Sequence, residues 1–271
     1  MLRHRIVTAV LLLSGLMISL FAIGQRGWAI AMLFPLVTGL MEWGRLSGLS
    51  GRVLVAYVVV TSLCSVAIHW LGLAFWLYVW AAVWWLCVVP LWLVAGWKMD
   101  SQWSRLPLGF LMLAPLWSAF LDLRVRGPWW VLLLMGVVWV ADIFAYFAGR
   151  WFGRHRLAPR ISPGKTWEGV VGALIGVLIY VLMAAKIVFS ATEFHFWWQT
   201  VVFLAVLMLY LSIVGDLFES WMKRLAQVKD SGNILPGHGG MLDRIDSLMA
   251  ALPVATLIVC YADSASLQNF L

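Results

Sequence analysis

Residues Val201–Val259 read VVFLAVLMLYLSIVGDLFESWMKRLAQVKDSGNILPGHGGMLDRIDSLMAALPVATLIV. The two ends, Val201–Val214 and Leu248–Val259, are apolar runs. The middle, Gly215–Asp246, holds five of the chain's twelve acidic residues and four of its nineteen basic ones. Ionised side chains are costly inside hydrocarbon, so a charged segment held between two membrane-crossing runs belongs at a membrane surface. That surface is where the chemistry of this chain is expected.

Composition extends the same conclusion to the whole chain. Of its 271 residues 63% are hydrophobic and 11% charged, against roughly 25% charged in soluble domains, which excludes an aqueous globule. Repeated apolar runs of about the ~20 residues needed to cross a bilayer imply an all-α, polytopic integral membrane protein. A transmembrane β-barrel would show alternating segments of roughly ten residues instead. Several of the nineteen Trp lie near run ends, as interfacial anchors do. Cys64, Cys87 and Cys260 stand singly in apolar runs, which gives neither a disulfide framework nor zinc-ligand spacing.

The first run follows Arg3 and Arg5 and extends from Ile6 to Ile23. A cleaved signal peptide is the alternative, with Ala22-Ile23-Gly24 as its small-residue site, but the run exceeds the usual ~7–15 residues and is read as a span. Further spans are expected at 28–44, 53–71, 73–97, 107–123, 128–149, 169–189, 197–218 and 246–262, nine in all, in a single membrane-embedded domain over residues 1–271. Pro35, Pro90 and Pro115 fall inside runs, where neighbouring helices tolerate a kink. With a cytoplasmic N-terminus, fifteen basic residues lie in inner segments and four (Arg26, Arg124, Arg126 and Lys186) in outer ones. This is the positive-inside asymmetry. It accounts for the net charge of +7, helped by attraction to anionic lipid, without any nucleic-acid partner. The two long inner loops, 150–168 and 219–243, are rich in basic residues and would form a cytoplasmic catalytic face suited to an anionic substrate.

Within the charged segment, Asp216, Glu219, Ser220 and Lys223 recur at i, i+3, i+4 and i+7 and share one helix face. A simple Asp216–Lys223 pair sealing a helix end is the bland account. Pro236-Gly237-His238-Gly239-Gly240 follows, a turn whose backbone N–H groups can approach a ligand closely. Asp243 and Asp246 then open the last helix at i, i+3. Two carboxylates beside a phosphate would repel it unless a hard cation such as Mg2+ bridged them, although acidic residues at a helix start also complement its dipole. His238 alone decides nothing.

The other loop contributes Ser162-Pro163-Gly164-Lys165-Thr166-Trp167-Glu168-Gly169. A P-loop is ruled out, because Pro159 stands where the first glycine is required and no strand precedes it. Thr166 is expected to cap the seventh span, with Glu168 in its first turn and Lys165 beside a helix start that can bind phosphate. Gly172 and Gly176 would let that helix pack closely. Asp142 and Tyr146 share a face of the sixth span, where Asp142 either completes the polar centre or balances a basic residue.

The string Ser220-x2-Lys223-Arg224-x4-Lys229-Asp230-Ser231-Gly232-x3-Pro236-Gly237-His238-Gly239-Gly240-x2-Asp243-Arg244-x-Asp246 resembles the signature of the CDP-diacylglycerol synthases (phosphatidate cytidylyltransferases). Ser162–Gly169, Met1-Leu2-x2-Arg5 and Glu42-Trp43 also look like that family, whereas residues 50–125 carry little of the likeness. The resemblance implies a multi-pass enzyme of a bacterial inner membrane, its site facing the cytoplasm. Such an enzyme condenses CTP with phosphatidic acid to CDP-diacylglycerol and pyrophosphate with Mg2+. By this resemblance Asp216 and Asp243 would hold the metal, with Asp246 either a further ligand or a support behind them. Lys165, Lys223, Arg224, Lys229 and Arg244 would hold phosphates, and Ser220 and His238 would orient them. Ser162, Asp230, Gly239 and Gly240 would line the substrate site. Partners would be CTP, phosphatidic acid and membrane lipids, with a homodimer left open.

Two rival readings make different demands of the sequence. A transporter using Asp142 and Asp216 for protons or ions predicts inverted repeats and midplane charges, whereas these charges crowd one surface. A CDP-alcohol phosphotransferase should carry an Asp-Gly-x2-Ala-Arg string, which is absent from the sequence.

Overall fold

The computed structural model describes residues 2–99, 101–188, 191–237 and 239–262. In order these form α1 (Leu2–Phe21), α2 (Gln25–Ala31), α3 (Leu33–Leu46), α4 (Gly51–Trp70) and α5 (Ala74–Val83). A π-helical turn (Trp84–Val88) leads into α6 (Val89–Ala95), followed by α7 (Gln102–Arg126) and α8 (Pro128–Phe152). A short hairpin of β1 (Arg156–Ala158) and β2 (Ser162–Thr166) precedes α9 (Trp167–Val188), α10 (Ala191–Leu225) and α11 (Leu242–Leu257), which ends in a second π-helical turn. Helices dominate because backbone groups in hydrocarbon must be satisfied within their own segment.

Among the described residues seven helical segments are long and apolar enough to cross a membrane: Gln25–Leu46, Gly51–Trp70, Ala74–Ala95, Trp103–Arg126, Pro128–Phe152, Trp167–Ile187 and Trp198–Leu225. The first and last expected spans coincide with α1, whose apolar part is Ile6–Phe21, and with the 16-residue α11. The chain is an all-α, multi-pass membrane protein. Its prolines bend rather than end the runs. The α2–α3 break falls just before Pro35, whose ring crowds the carbonyl four residues earlier, and Pro90 follows the π-helical turn.

One feature was not legible in the sequence: Ser162–Thr166 is a strand, paired antiparallel with β1 through Arg156–Thr166 and Ala158–Ser162. α10 continues to Leu225, in keeping with the helix face shared by Asp216 and Lys223, so the first part of the expected 219–243 loop is helical.

The bundle is organised around α11. Its residues Leu242, Ile245 and Ser247–Thr256 are buried, enclosed by α10, α7, α5, α8 and α3. Large apolar side chains such as Val55, Leu63, Ile175 and Phe203 point outward, as lipid-facing residues do. Glycine governs the closest approaches. A Cβ on Gly215 would lie 2.5 Å from the Asp246 carbonyl and 3.1 Å from Ala250 Cβ, so only glycine lets α10 cross α11 there. This crossing brings Asp216 beside Asp246. Gly172 and Gly176 seat α9 against Ala148 and Phe144 of α8, the close packing expected of their spacing.

Candidate active site

The last turns of α10 present Asp216, Glu219, Ser220 and Lys223 along one face, toward the start of α11. Lys223 pairs with Glu219 one turn back and with Asp243 Oδ1 at 2.6 Å. The three side chains are nearly closed off from solvent, at 12%, 2% and 9% exposure. Buried carboxylates need such a partner, since an unpaired buried charge costs several kcal/mol. Lys223, expected to hold phosphates, thus lies between two carboxylates.

Asp243 is the most fully satisfied acid of the site. Its Oδ2 accepts hydrogen bonds from Gly240 N (2.8 Å), Ser231 N (3.0 Å) and Ser231 Oγ (3.0 Å). Burial pushes its carboxyl upward, but Lys223 and the N–H groups of Gly240 and Ser231 outweigh that and hold it below the ordinary value. Asp243 thus closes the loop 226–241 onto the helix start.

Glu42 of α3 does the same from the opposite side, and sequence reasoning gave it no role. Its carboxylate is fully buried. It accepts hydrogen bonds from Met241 N (2.9 Å) and Leu242 N (2.9 Å), the first N–H groups of α11, and from Ser231 Oγ (2.9 Å). A carboxylate at a helix N-terminus complements its dipole and satisfies its orphan donors. The packing is tight. A Cβ on Gly240 would lie 2.0 Å from Ser231 Oγ and 2.5 Å from Glu42 Oε2, and one on Gly232 would lie 2.5 Å from Glu42 Oε1.

The hairpin delivers the remaining cation. Lys165 Nζ on β2 lies 2.5 Å from Asp216 Oδ2, and Ser220 Oγ donates to Asp216 Oδ1 at 3.3 Å. Thr166 Oγ1 accepts from Gly169 N at 3.1 Å, the helix cap anticipated for α9. Glu168 receives the backbone N–H of His155 and contacts its ring at 2.7 Å, tying the hairpin to α9. Asp246 lies within electrostatic range of Asp216, Glu219 and Lys165, and Asp142 within range of Asp216, Lys165 and Arg244. Asp142 therefore belongs to the polar centre.

The other expected site residues surround this core. Ser162 pairs with Ala158 at the far end of β2. Arg224 Nη1 donates to the Val228 carbonyl at 3.3 Å, while Lys229 and Asp230 are exposed in the loop. Gly239 has φ +82 and its carbonyl accepts from Leu235 N at 3.0 Å, so the turn needs the left-handed freedom of glycine. Arg244 is exposed in the first turn of α11. His238 lies outside the described residues.

Around Asp216 the formal charges are five carboxylates (Asp142, Asp216, Glu219, Asp243 and Asp246) against three cations (Lys165, Lys223 and Arg244). In addition, Glu219 Oε1 is buried without a hydrogen-bond donor. That imbalance fits a hard divalent cation. Among the described residues no three His, Cys, Asp or Glu side chains converge closely enough to hold a metal by themselves. Asp216 and Asp246 remain suitable donors, whereas Asp243 is already engaged by four donor contacts.

Comparison with known proteins gives a consistent result. A profile of the "Cytidylyltransferase family" matches residues 3–262. The chain is 40% identical over 267 residues, 94% of its own length and 95% of the relative's, to a protein of Pseudomonas aeruginosa named phosphatidate cytidylyltransferase. Proteins of the same name from Haemophilus influenzae (34% over 290 residues, 93% of this chain and 96% of the relative) and Thermotoga maritima (45% over 130 residues, 47% of each chain) are similar too.

Proposed function

The chain belongs to the cytidylyltransferase family, and from that premise we propose that it condenses CTP with phosphatidic acid, releasing pyrophosphate and forming CDP-diacylglycerol. The observation that carries this reading is the contact of Lys165 with Asp216, which joins the two motif-bearing segments into one charged centre at the ends of membrane helices. That is the arrangement a reaction between a soluble nucleotide and a membrane lipid requires. The transporter reading gains no support from this family.

In the reaction a phosphate oxygen of phosphatidic acid attacks the α-phosphorus of CTP. A new P–O–P bond forms, and the bond to the bridging oxygen breaks with its electron pair leaving on pyrophosphate. Little covalent work falls to the protein, so positioning and charge neutralisation dominate. Lys165, Arg244, Arg224 and Lys229 hold phosphates, and Ser220 keeps Asp216 oriented. Lys223, Asp243 and Glu42 keep the loop and helix start in register. Asp216 and Asp246 are the residues that would hold Mg2+. When bound, the ion neutralises phosphate charge and lowers the cost of the pentavalent arrangement.

Basic asymmetry supports a cytoplasmic placement of the loops 150–168 and 219–243 and of the N-terminus, in the inner membrane of a bacterium. The test is direct. Protein purified into nanodiscs is supplied with CTP, phosphatidic acid and Mg2+, and both pyrophosphate and CDP-diacylglycerol are measured. Stoichiometric formation of the two is expected, and absence of both under conditions where a cytidylyltransferase relative is active would refute the assignment.

A further inference from the structure

Beyond the charged centre, a second pocket of about 370 Å3 opens between the end of α3, the start of α7 and the segment following α10. Its volume is within the range of small-ligand sites, ~300–1,000 Å3. Its walls are fixed. Trp43 Nε1 donates to the Arg105 carbonyl at 2.8 Å and Tyr57 Oη to the Leu106 carbonyl at 2.9 Å, pinning α7 to α3 and α4.

Several polar groups in the pocket keep bonding capacity to spare. Arg105 donates to the Met99 carbonyl from Nε at 2.9 Å and also from Nη2, which leaves Nη1 without a partner among the described residues. Arg45 is exposed, and Asp230 on the facing segment makes no ion pair within 4 Å among those residues. Ser47 is 2% exposed, and its Oγ has no hydrogen-bond partner. A buried hydroxyl without a partner is uncommon and marks a position where a ligand can complete the bonding. Ser231, also lining the pocket, bonds Asp243 on its other side and so links the pocket to the charged centre.

The set combines one carboxylate acceptor with donors from two guanidiniums and a hydroxyl. Two arginines alone would suit a phosphate, but an unpaired carboxylate beside them would repel it. A ligand edge with an amino donor next to ring-nitrogen and carbonyl acceptors satisfies all of them, and that edge is cytosine's. We propose that this pocket seats the base of CTP, with Asp230 accepting its 4-amino group and Arg45, Arg105 and Ser47 donating to its ring nitrogen and carbonyl. The inference rests on the CTP-dependent reading above and adds the source of its base selectivity. Uracil reverses the pattern, presenting a carbonyl and an N–H to Asp230's side of the edge, and a site built for one pattern rejects the other.

The experiment compares CTP with UTP in the nanodisc assay. Asp230→Asn, an isosteric change at an exposed position, should lower the CTP-to-UTP ratio of kcat/KM about tenfold or more. Arg45→Met should raise the KM for CTP while leaving that for phosphatidic acid unchanged. An unchanged ratio in Asp230→Asn overturns the proposal. So does an equal loss with both nucleotides, which would make the pocket a ribose or phosphate site. Failure of the wild-type protein to use CTP at all would instead sink the assignment of the reaction, so the two failures are distinguishable.

Discussion

Lys165 Nζ and Asp216 Oδ2 lie 2.5 Å apart, one on a strand of the short hairpin and the other near the end of a long membrane helix. Each side chain keeps roughly a quarter to a third of its surface open, at 24% and 30%. The pair is therefore accessible to ligands and partly screened, so its worth to folding is modest. Its role is better understood as a charge held ready for phosphate. Lys165→Ala removes a charge-assisted contact typically worth ~1.5–3 kcal/mol, or roughly a tenfold to hundredfold loss in kcat/KM. Asp216→Asn should abolish turnover at every Mg2+ concentration while leaving the protein folded. Kinetics against CTP, phosphatidic acid and Mg2+ check both. Wild-type rates in Lys165→Ala would leave the hairpin with only the capping of α9.

Glu42 predicts a different signature. Its loss leaves the buried N–H groups of Met241 and Leu242 without an acceptor, at ~1–3 kcal/mol each, while Ser231 can still donate to Asp243. Glu42→Ala should lower the unfolding temperature markedly and reduce kcat more than either KM, because it loosens the register of Asp243 rather than a substrate contact. Glu42→Gln keeps the shape and one acceptor oxygen, so it should fall between Ala and wild type in both properties. Thermal unfolding and steady-state kinetics on the same preparations measure this. A Glu42→Ala protein as stable and active as wild type would mean that the loop holds its register without α3.

These two cases show what the sequence could and could not reveal. The shared face of Asp216, Glu219, Ser220 and Lys223, the Thr166 cap and the Gly172/Gly176 contact are local, so helix spacing exposes them. Glu42 meets Ser231 across 189 positions, and no periodicity records such a contact. Besides the family likeness of Glu42-Trp43, it left the trace of a lone carboxylate in an otherwise apolar run, which on physical grounds marks a functional or paired group. Spacing put Lys223 on one face with Asp216 and Glu219 and offered Asp216 as its partner, but could not show Lys165 taking Asp216 or Asp243 arriving from α11 beside Glu219. The hairpin was missed because Ser-Pro-Gly-Lys-Thr lacks the β-branched and aromatic alternation of an ordinary strand.

Orientation in the membrane makes a prediction independent of chemistry. The fifteen-to-four distribution of basic residues predicts that the hairpin and the loop after α10 face the cytoplasm. In a variant lacking Cys64, Cys87 and Cys260, single cysteines at Arg160 and Gln227 should resist a membrane-impermeant maleimide in intact cells, whereas one at Arg26 should react. Reaction at Arg160 would invert the topology, and with it the side from which CTP arrives.

Lys223 provides the sharpest separation between building the site and binding the substrate. It lies between Glu219 and Asp243 with 12% of its side chain exposed. Were it chiefly a phosphate ligand, Lys223→Met would raise KM and spare stability. If instead it neutralises two buried carboxylates, its removal strands both and should cost ~3–5 kcal/mol, with inactivity following from a misplaced Asp243. The second outcome is expected. Glu219→Gln, by removing one of the two stranded charges, should recover part of the unfolding temperature in the Lys223→Met background while costing stability in the wild-type one. That reversal of sign in a double-mutant cycle is the coupling of residues in direct contact. Additive effects of the two substitutions would show that Lys223 and Glu219 act separately, and would return Lys223 to the set of phosphate-holding residues.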